Sequence, residues 1–161
     1  MIRTIDIHKS FGDQQVLKGI TTEFFPGKTN LIIGRSGAGK TVLLKILVGL
    51  VSPTSGDIFY GDVNFSQLNK KEMRTIRMKV GMLFQGSALF DSMTVEENIR
   101  FPLDMFTQMT WKEKAMQVDS CLERVSLGQV HKKYPSEVSG GMQKRVGIAR
   151  AIVLNPEYLF C

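Results

Sequence analysis

Cysteine is scarce in this chain of 161 residues: Cys121 and Cys161 are its two cysteines, and neither has a CxxC partner. A disulfide framework is excluded and reduced thiols are expected. Long apolar runs are missing too. Nothing approaches the roughly 18 consecutive apolar residues of a membrane span, Lys45 interrupts the most apolar stretch, and residues 1–6 carry no apolar signal core. The expectation is a cytosolic chain, or one peripheral on the cytosolic face of a membrane. There is no internal repeat and no low-complexity tract. Positive charge is spread out: the net charge is +6, with small clusters at Lys70, Lys71, Arg74, Arg77, Lys79 and at Lys132, Lys133. That distribution reads as a solvated face, so no nucleic-acid partner is expected. At 43% hydrophobic composition the chain has enough apolar side chains for the core of one ordinary domain.

Against these absences stands one dense motif. Gly34, Arg35, Ser36, Gly37, Ala38, Gly39, Lys40 and Thr41 spell G-x-x-x-x-G-K-[ST], the phosphate-binding loop, between an apolar run and a helix-start pattern. Residues 29–33 are expected to form a strand buried on both faces. The chain must then reverse around a polyphosphate, so Gly34, Gly37 and Gly39 are expected to supply positive φ and close backbone approach. Their N–H groups form the anion cradle. Lys40 brings a point charge to the β and γ phosphates, and Thr41 offers a hydroxyl to the Mg²⁺ that bridges them. The helix that follows, residues 42–48, is apolar almost all round and is expected to be buried, with Gly49 as its stop. An ordinary glycine-rich turn is the alternative reading; the agreement of motif and flanks favours the phosphate loop.

Punctuation gives the coarse structure. Short β patterns at residues 4–7, 15–17 and 21–25, closed by Pro26 and Gly27, predict a small antiparallel layer. Residues 52–56 predict a turn, 57–60 a strand, and Asn69 with Glu72 a capping box for a helix through Met78. Residues 80–84 predict another buried strand. Thr94 with Glu97 and Thr110 with Glu113 are further capping boxes, so residues from about 95 to 126 predict helices broken near Pro102. Ser139, Gly140 and Gly141 precede a helix pattern over 142–154, stopped by Asn155 and Pro156, and an apolar strand begins at Tyr158.

The phosphate loop, a strand ending in Phe84 and Gln85, and the run Val138, Ser139, Gly140, Gly141, Met142, Gln143 follow one another in that order. In this the chain resembles the ATP-binding domain of an ABC transporter, from residue 1 to residue 161. The resemblance implies an α/β P-loop NTPase fold with an N-terminal antiparallel β layer, a parallel core sheet and a helical subdomain. Residues of about 1–84 and 143–161 would form the core and β layer, and 85–142 the Q-loop, helical subdomain and signature. It implies ATP and Mg²⁺ as cofactors. Phe11 matches the aromatic that stacks on adenine, with Val16 flanking the base. Gly34 through Thr41 and the next residue, Val42, would hold the phosphates. Gln85 matches the Q-loop glutamine, which with Thr41 reaches Mg²⁺, and Lys40 and Gln85 carry the catalytic roles. Ser139, Gly140, Gly141, Met142 and Gln143 match the signature, whose helix N-terminus suits the γ-phosphate of ATP held by a second subunit. A homodimer of such subunits and integral-membrane permease partners are implied, at the cytosolic face of the inner or plasma membrane. Within the family, residues 85–98 and the Ser-Gly-Gly-Met form of the signature look most like the Mla, or MCE-associated, lipid-transport ATPases. Open alternatives are a different transported substrate, a soluble non-transport ABC ATPase, and a nucleotide-binding module without hydrolysis.

The chain also departs from the family pattern. Met142 stands where the common signature has Gln, with Gln143 one place along, and Met cannot donate a hydrogen bond. The Asp that holds Mg²⁺ through water, the Glu that polarises the attacking water and the switch His all fall beyond Cys161. The expectation is a polypeptide truncated within its core sheet, binding nucleotide far better than it hydrolyses it and poorly soluble by itself.

Overall fold

The computed structural model describes residues 1–161 apart from Gln85 and Ser87, and apart from the side chain of Lys70. The chain divides into two units, Met1–Arg77 and Met78–Cys161.

The first unit is built on a hairpin. Strands β1 (Ile2–Phe11) and β2 (Gln14–Phe24) pair antiparallel, and β3 (Ser55–Tyr60) and β4 (Val63–Asn64) extend the sheet in the order β2-β1-β3-β4. The two β patterns read at 15–17 and 21–25 are the ends of the single strand β2. Helix α1 (Lys40–Leu47) buries Leu43, Ile46 and Leu47, while Thr41 and Lys45 stay exposed. It is therefore amphipathic, not apolar all round. The Tyr60 hydroxyl donates to Leu47 O at 2.9 Å, tying β3 to this helix. The stop is the expected one: Gly49 sits at φ 73, its N–H donates to Ile46 O at 3.0 Å, and a Cβ there would fall 2.6 Å from the Phe65 ring. Helix α2 (Lys70–Met78) begins at its predicted capping box, with Asn69 Oδ1 accepting from Glu72 N at 3.1 Å and Glu72 Oε2 from Asn69 N at 2.9 Å.

A predicted strand is missing from this unit. Residues 29–33 form no strand, and Leu31 and Ile33 are 77% and 84% exposed. A parallel strand is held by ladder bonds to its neighbours, and among the described residues no strand is paired with this segment. Apolar composition alone does not make a strand.

Among the described residues the second unit holds a short parallel pair and three α-helices. Strand β5 (Val80–Met82) runs parallel to β6 (Tyr158–Phe160), with Val80 opposite Tyr158. The pairing ends before Phe84, which is 40% exposed. Helices α3 (Val95–Phe106), α4 (Trp111–Arg124) and α5 (Gly140–Ile152) enclose a core of Val95, Ile99 and Leu103, of Val118, Cys121 and Leu122, and of Val146 and Ala149. Burial pushes the Cys121 thiol pKa up, so the group is a packed, protonated thiol. Both predicted capping boxes are formed. Contrary to expectation, α3 runs straight through Pro102. An interior proline costs about 3 kcal/mol, whereas burying Val95, Ile99 and Leu103 contributes about 1.5–3 kcal/mol apiece, so packing wins. The break comes at Thr107, whose N–H and hydroxyl both donate to Leu103 O. Among the described residues no helix is long and apolar enough to cross a membrane.

Candidate functional site

The loop of residues 34–41 is shaped by two positive backbone angles, φ 76 at Gly37 and φ 88 at Gly39. Gly39 is the N-cap of α1 and has a second reason to be glycine. A Cβ there would fall 2.8 Å from Leu17 Cδ2 and 3.1 Å from Val16 Cγ1, so β2 backs directly onto the loop. Gly34, expected to need positive φ, does not lie in that region; a Cβ on it would meet Ala38 Cβ at 3.4 Å. The reversal happens later, where Ala38 N–H donates to Arg35 O at 3.2 Å. Arg35, Ser36 and Ala38 are exposed, and Val42 is half-buried behind them.

Lys40 folds over the mouth of the loop. Its Nζ donates to Gly34 O at 2.7 Å and to Arg35 O at 2.9 Å. An incoming phosphate oxygen would compete with these two carbonyls for an ammonium already held at the centre of the turn. The first N–H groups of α1 have no intrahelical acceptor and point toward the same space. Thr41 is exposed in the first turn of the same helix. Among the described residues no group of three or more His, Cys, Asp or Glu could hold a metal ion. Mg²⁺ in nucleotide sites takes one or two protein oxygens and fills its shell from phosphates and water, so a single Thr hydroxyl fits that ion and not a protein-caged one.

Phe11 ends β1 and is 51% exposed, and Lys9 Nζ lies 4.9 Å from its ring centroid. Val16 is skipped in the hairpin register, between the pairs Lys9–Leu17 and Ser10–Gln15. This bulge is what brings Val16 against Gly39. An exposed aromatic at the hairpin tip and a half-buried valine on the loop are thus carried by the same two strands.

In the second unit, Ser139 is the N-cap of α5, its Oγ accepting from Met142 N at 3.3 Å. Ser139, Gly140 and Gly141 are exposed. A Cβ on Gly140 would meet nothing within 4 Å, and one on Gly141 only Ser139 Oγ at 4.0 Å. Met142 and Gln143 turn the other way. Met142 packs against the helical core, and Gln143 Nε2 donates to Pro135 O at 2.8 Å and Val138 O at 3.4 Å, bracing the turn that leads into α5. Gln85 lies outside the described residues.

Sequence reasoning missed two polar side chains of this unit, Asn98 and Arg150. Asn98 is fully buried on the apolar face of α3. The signal was present, since 95, 98, 99 and 103 share one helical face and Asn is out of place on it. Arg150 donates to Ala88 O at 2.9 Å across 62 residues of sequence, and no spacing in the chain announces such a contact.

A glycine-shaped turn opening into a helix, with a lysine folded across its mouth, defines a phosphate-loop nucleotide-binding protein. Within that class the chain belongs to the ABC transporter family, whose profile matches residues 17–161. It is 40% identical over 153 residues to the probable ribonucleotide transport ATP-binding protein mkl of Mycobacterium leprae, covering 95% of this chain and 44% of that one. It is 42% identical over 149 residues to the methionine import ATP-binding protein MetN of Carboxydothermus hydrogenoformans, covering 91% and 43%. To the chloroplastic protein TRIGALACTOSYLDIACYLGLYCEROL 3 of Arabidopsis thaliana it is 36% identical, covering 96% and 45%. The chain therefore spans less than half the length of these relatives. A dimeric post-hydrolysis state of the ATP-binding cassette MJ0796, bound to ADP and Pi, superposes with a TM-score of 0.89 at 30% identity, covering 99% of this chain and 72% of that one.

Proposed function

We propose that this chain is the nucleotide-binding part of an ABC-type ATPase that drives a transmembrane partner from the cytosolic face of the membrane. The observation that carries the reading is the placement of Lys40 Nζ, 2.7 Å from Gly34 O and 2.9 Å from Arg35 O, inside a turn made by the positive φ of Gly37 and Gly39, where a Cβ on Gly39 would fall 2.8 Å from Leu17 Cδ2. ATP would bind with its polyphosphate on residues 34–41 and its base against Phe11 and Val16. Lys40 would draw the β and γ oxygens into the turn, and Mg²⁺, when bound, would supply charge neutralisation beside Thr41. Gln85 keeps its proposed place at the metal and the attacking water.

The second half of the site would be supplied by another copy. Gly140 and Gly141 open α5 although none of the described residues crowds either position, and glycine in a helix is worse than alanine by about 0.5–1 kcal/mol. Bare backbone at a helix N-terminus is suited to close approach of a phosphate, and the superposing MJ0796 cassette is a dimer bound to ADP and Pi. Two copies would hold two nucleotides between loop and signature.

Phospholipid is the substrate this reading favours, on the likeness of residues 85–98 and of the Ser-Gly-Gly-Met signature to the Mla-type ATPases. One relative carries the name of a diacylglycerol galactolipid, and two others are named for ribonucleotide and methionine.

The test uses the intact polypeptide. Hydrogen bonds to a charged group contribute about 1.5–3 kcal/mol, so Lys40→Ala should weaken ATP binding about 10–100-fold and abolish turnover. Unchanged affinity would remove the nucleotide reading. In the reconstituted complex, stimulation by methionine or a ribonucleotide but not by phospholipid vesicles would overturn the substrate and leave the ATPase standing.

A further inference from the structure

Arg150 sits ten residues beyond Gly140 on α5, about 15 Å along the helix from its N-terminus. Besides the bond to Ala88 O, its guanidinium lies 5.8 Å from the centroid of the Phe90 ring, which packs on Phe101 of α3 at 5.0 Å. Arg150 is half-buried, and that burial pushes its pKa down. Ala88 has φ 43, a left-handed conformation that costs a residue with a Cβ about 1–2 kcal/mol and persists only where the surroundings over-determine it. Those surroundings are Arg150 from α5 and, two residues on, Asn98 from α3, which binds both the N–H and the C=O of Phe90. Ala88 is three residues past Gln85 in the sequence.

We propose that Arg150 is a positioning residue that makes residues 88–90 and helix α5 move as one body, so that a displacement imposed on that segment reaches Ser139, Gly140 and Gly141. The inference rests on the roles given above to Gln85 and the signature. The mechanism is simple: a helix is stiff along its axis, and a backbone carbonyl gripped by a half-buried guanidinium cannot slide past it without breaking a charge-assisted bond. Without the grip, the segment could shift while α5 stayed still. Arg150 acts through the residues it holds, the Ala88 carbonyl and the Phe90 ring.

The experiment uses the intact polypeptide assembled with its membrane partner and reads ATP affinity, basal turnover, partner-stimulated turnover and thermal midpoint. Arg150→Met keeps much of the stem and removes every donor; Arg150→Lys keeps the charge and one reach toward Ala88 O. The Met variant should bind ATP within about twofold of the unmodified protein and keep its basal rate while stimulation falls about tenfold, following the loss of one charged hydrogen bond. The Lys variant should recover at least half of the stimulation. Phe90→Leu should lower stimulation severalfold and should not add to Arg150→Lys. A stimulation unchanged in both Arg150 variants, or basal and stimulated rates falling together with the thermal midpoint, would overturn the proposal. If Arg150→Met does not fold, the Lys and Phe90→Leu pair decides the matter, since independent, multiplicative losses would overturn it as well. Absence of Lys40-dependent turnover in the unmodified protein would instead sink the ATPase reading, and this inference with it.

Discussion

Asn98 binds both backbone groups of Phe90: its Oδ1 accepts from Phe90 N at 2.8 Å and its Nδ2 donates to Phe90 O at 3.1 Å. The same amide nitrogen also lies 3.0 Å from Met93 O and from Thr94 O. A fully buried side chain on α3 thus substitutes for the strand or helix that residues 90–94 lack.

Asn98→Ala should therefore destabilise the protein by about 2–4 kcal/mol, since it strands a buried N–H and several carbonyls at about 1–3 kcal/mol per group. Asn98→Asp should be worse at neutral pH, because a carboxylate cannot donate to the carbonyls that surround it. Urea unfolding of the intact polypeptide ranks the two, and an Asp variant more stable than the Ala variant at pH 7 would contradict the hydrogen-bond account.

Gly39→Ala meets two obstacles, φ 88 and Leu17 Cδ2 at 2.8 Å from the added methyl. Left-handed backbone costs about 1–2 kcal/mol and overpacking about 1–3 kcal/mol. A loss of about 2–4 kcal/mol is expected, with ATP affinity falling alongside. Adding Leu17→Ala should relieve the steric part and leave the backbone part. Denaturation midpoints of the single and double variants check this, and a single variant as stable as the unmodified chain would show the loop to be less constrained than its geometry states.

Gly140→Ala should behave in the opposite way. The site is exposed and open, so the fold should be unharmed or gain up to about 1 kcal/mol, while ATP turnover by the assembled protein collapses. Intact turnover in a normally folded Gly140→Ala variant would remove the signature role.

Acid should weaken α3 and α4 through their capping boxes. Glu97 accepts from Thr94 N at 2.8 Å and Glu113 from Thr110 N at 2.7 Å, and each also accepts from the threonine hydroxyl. These bonds, the backbone one foremost, hold both carboxyls below their ordinary pKa. A folded-state pKa below the unfolded one gives stability that is complete above the unfolded value, about 4.3, and is lost as pH falls through the folded value. The gap in thermal midpoint between the unmodified protein and Glu97→Gln with Glu113→Gln should stay level from about pH 7 to 5 and close below about pH 4. A gap that widens on acidification would run against this sign.

Much of this architecture was legible from local chemistry. The capping boxes at Asn69, Thr94 and Thr110, the stop at Gly49 and the helix opening at Ser139 each depend on residues within a few positions of one another, and such bonds form wherever the chain goes. The phosphate loop was equally plain, since a turn around phosphate demands glycine, lysine and a hydroxyl at fixed spacing. Pro102 misled because its local penalty is set against a buried face formed with α4 and α5. Residues 29–33 misled because strand pairing needs a neighbour, and an apolar run cannot supply its own.

The sequence by itself determined the capped starts of α2, α3 and α4, the glycine-shaped turn and the lysine within it, because backbone angles and capping bonds are short-range. Only the tertiary structure decided that Val16 would bulge against Gly39, that Asn98 would hold Phe90 and that Arg150 would grip Ala88. Those contacts join positions 8 to 62 residues apart, and what selects them is the burial of apolar faces that brings distant backbone within reach of a polar side chain.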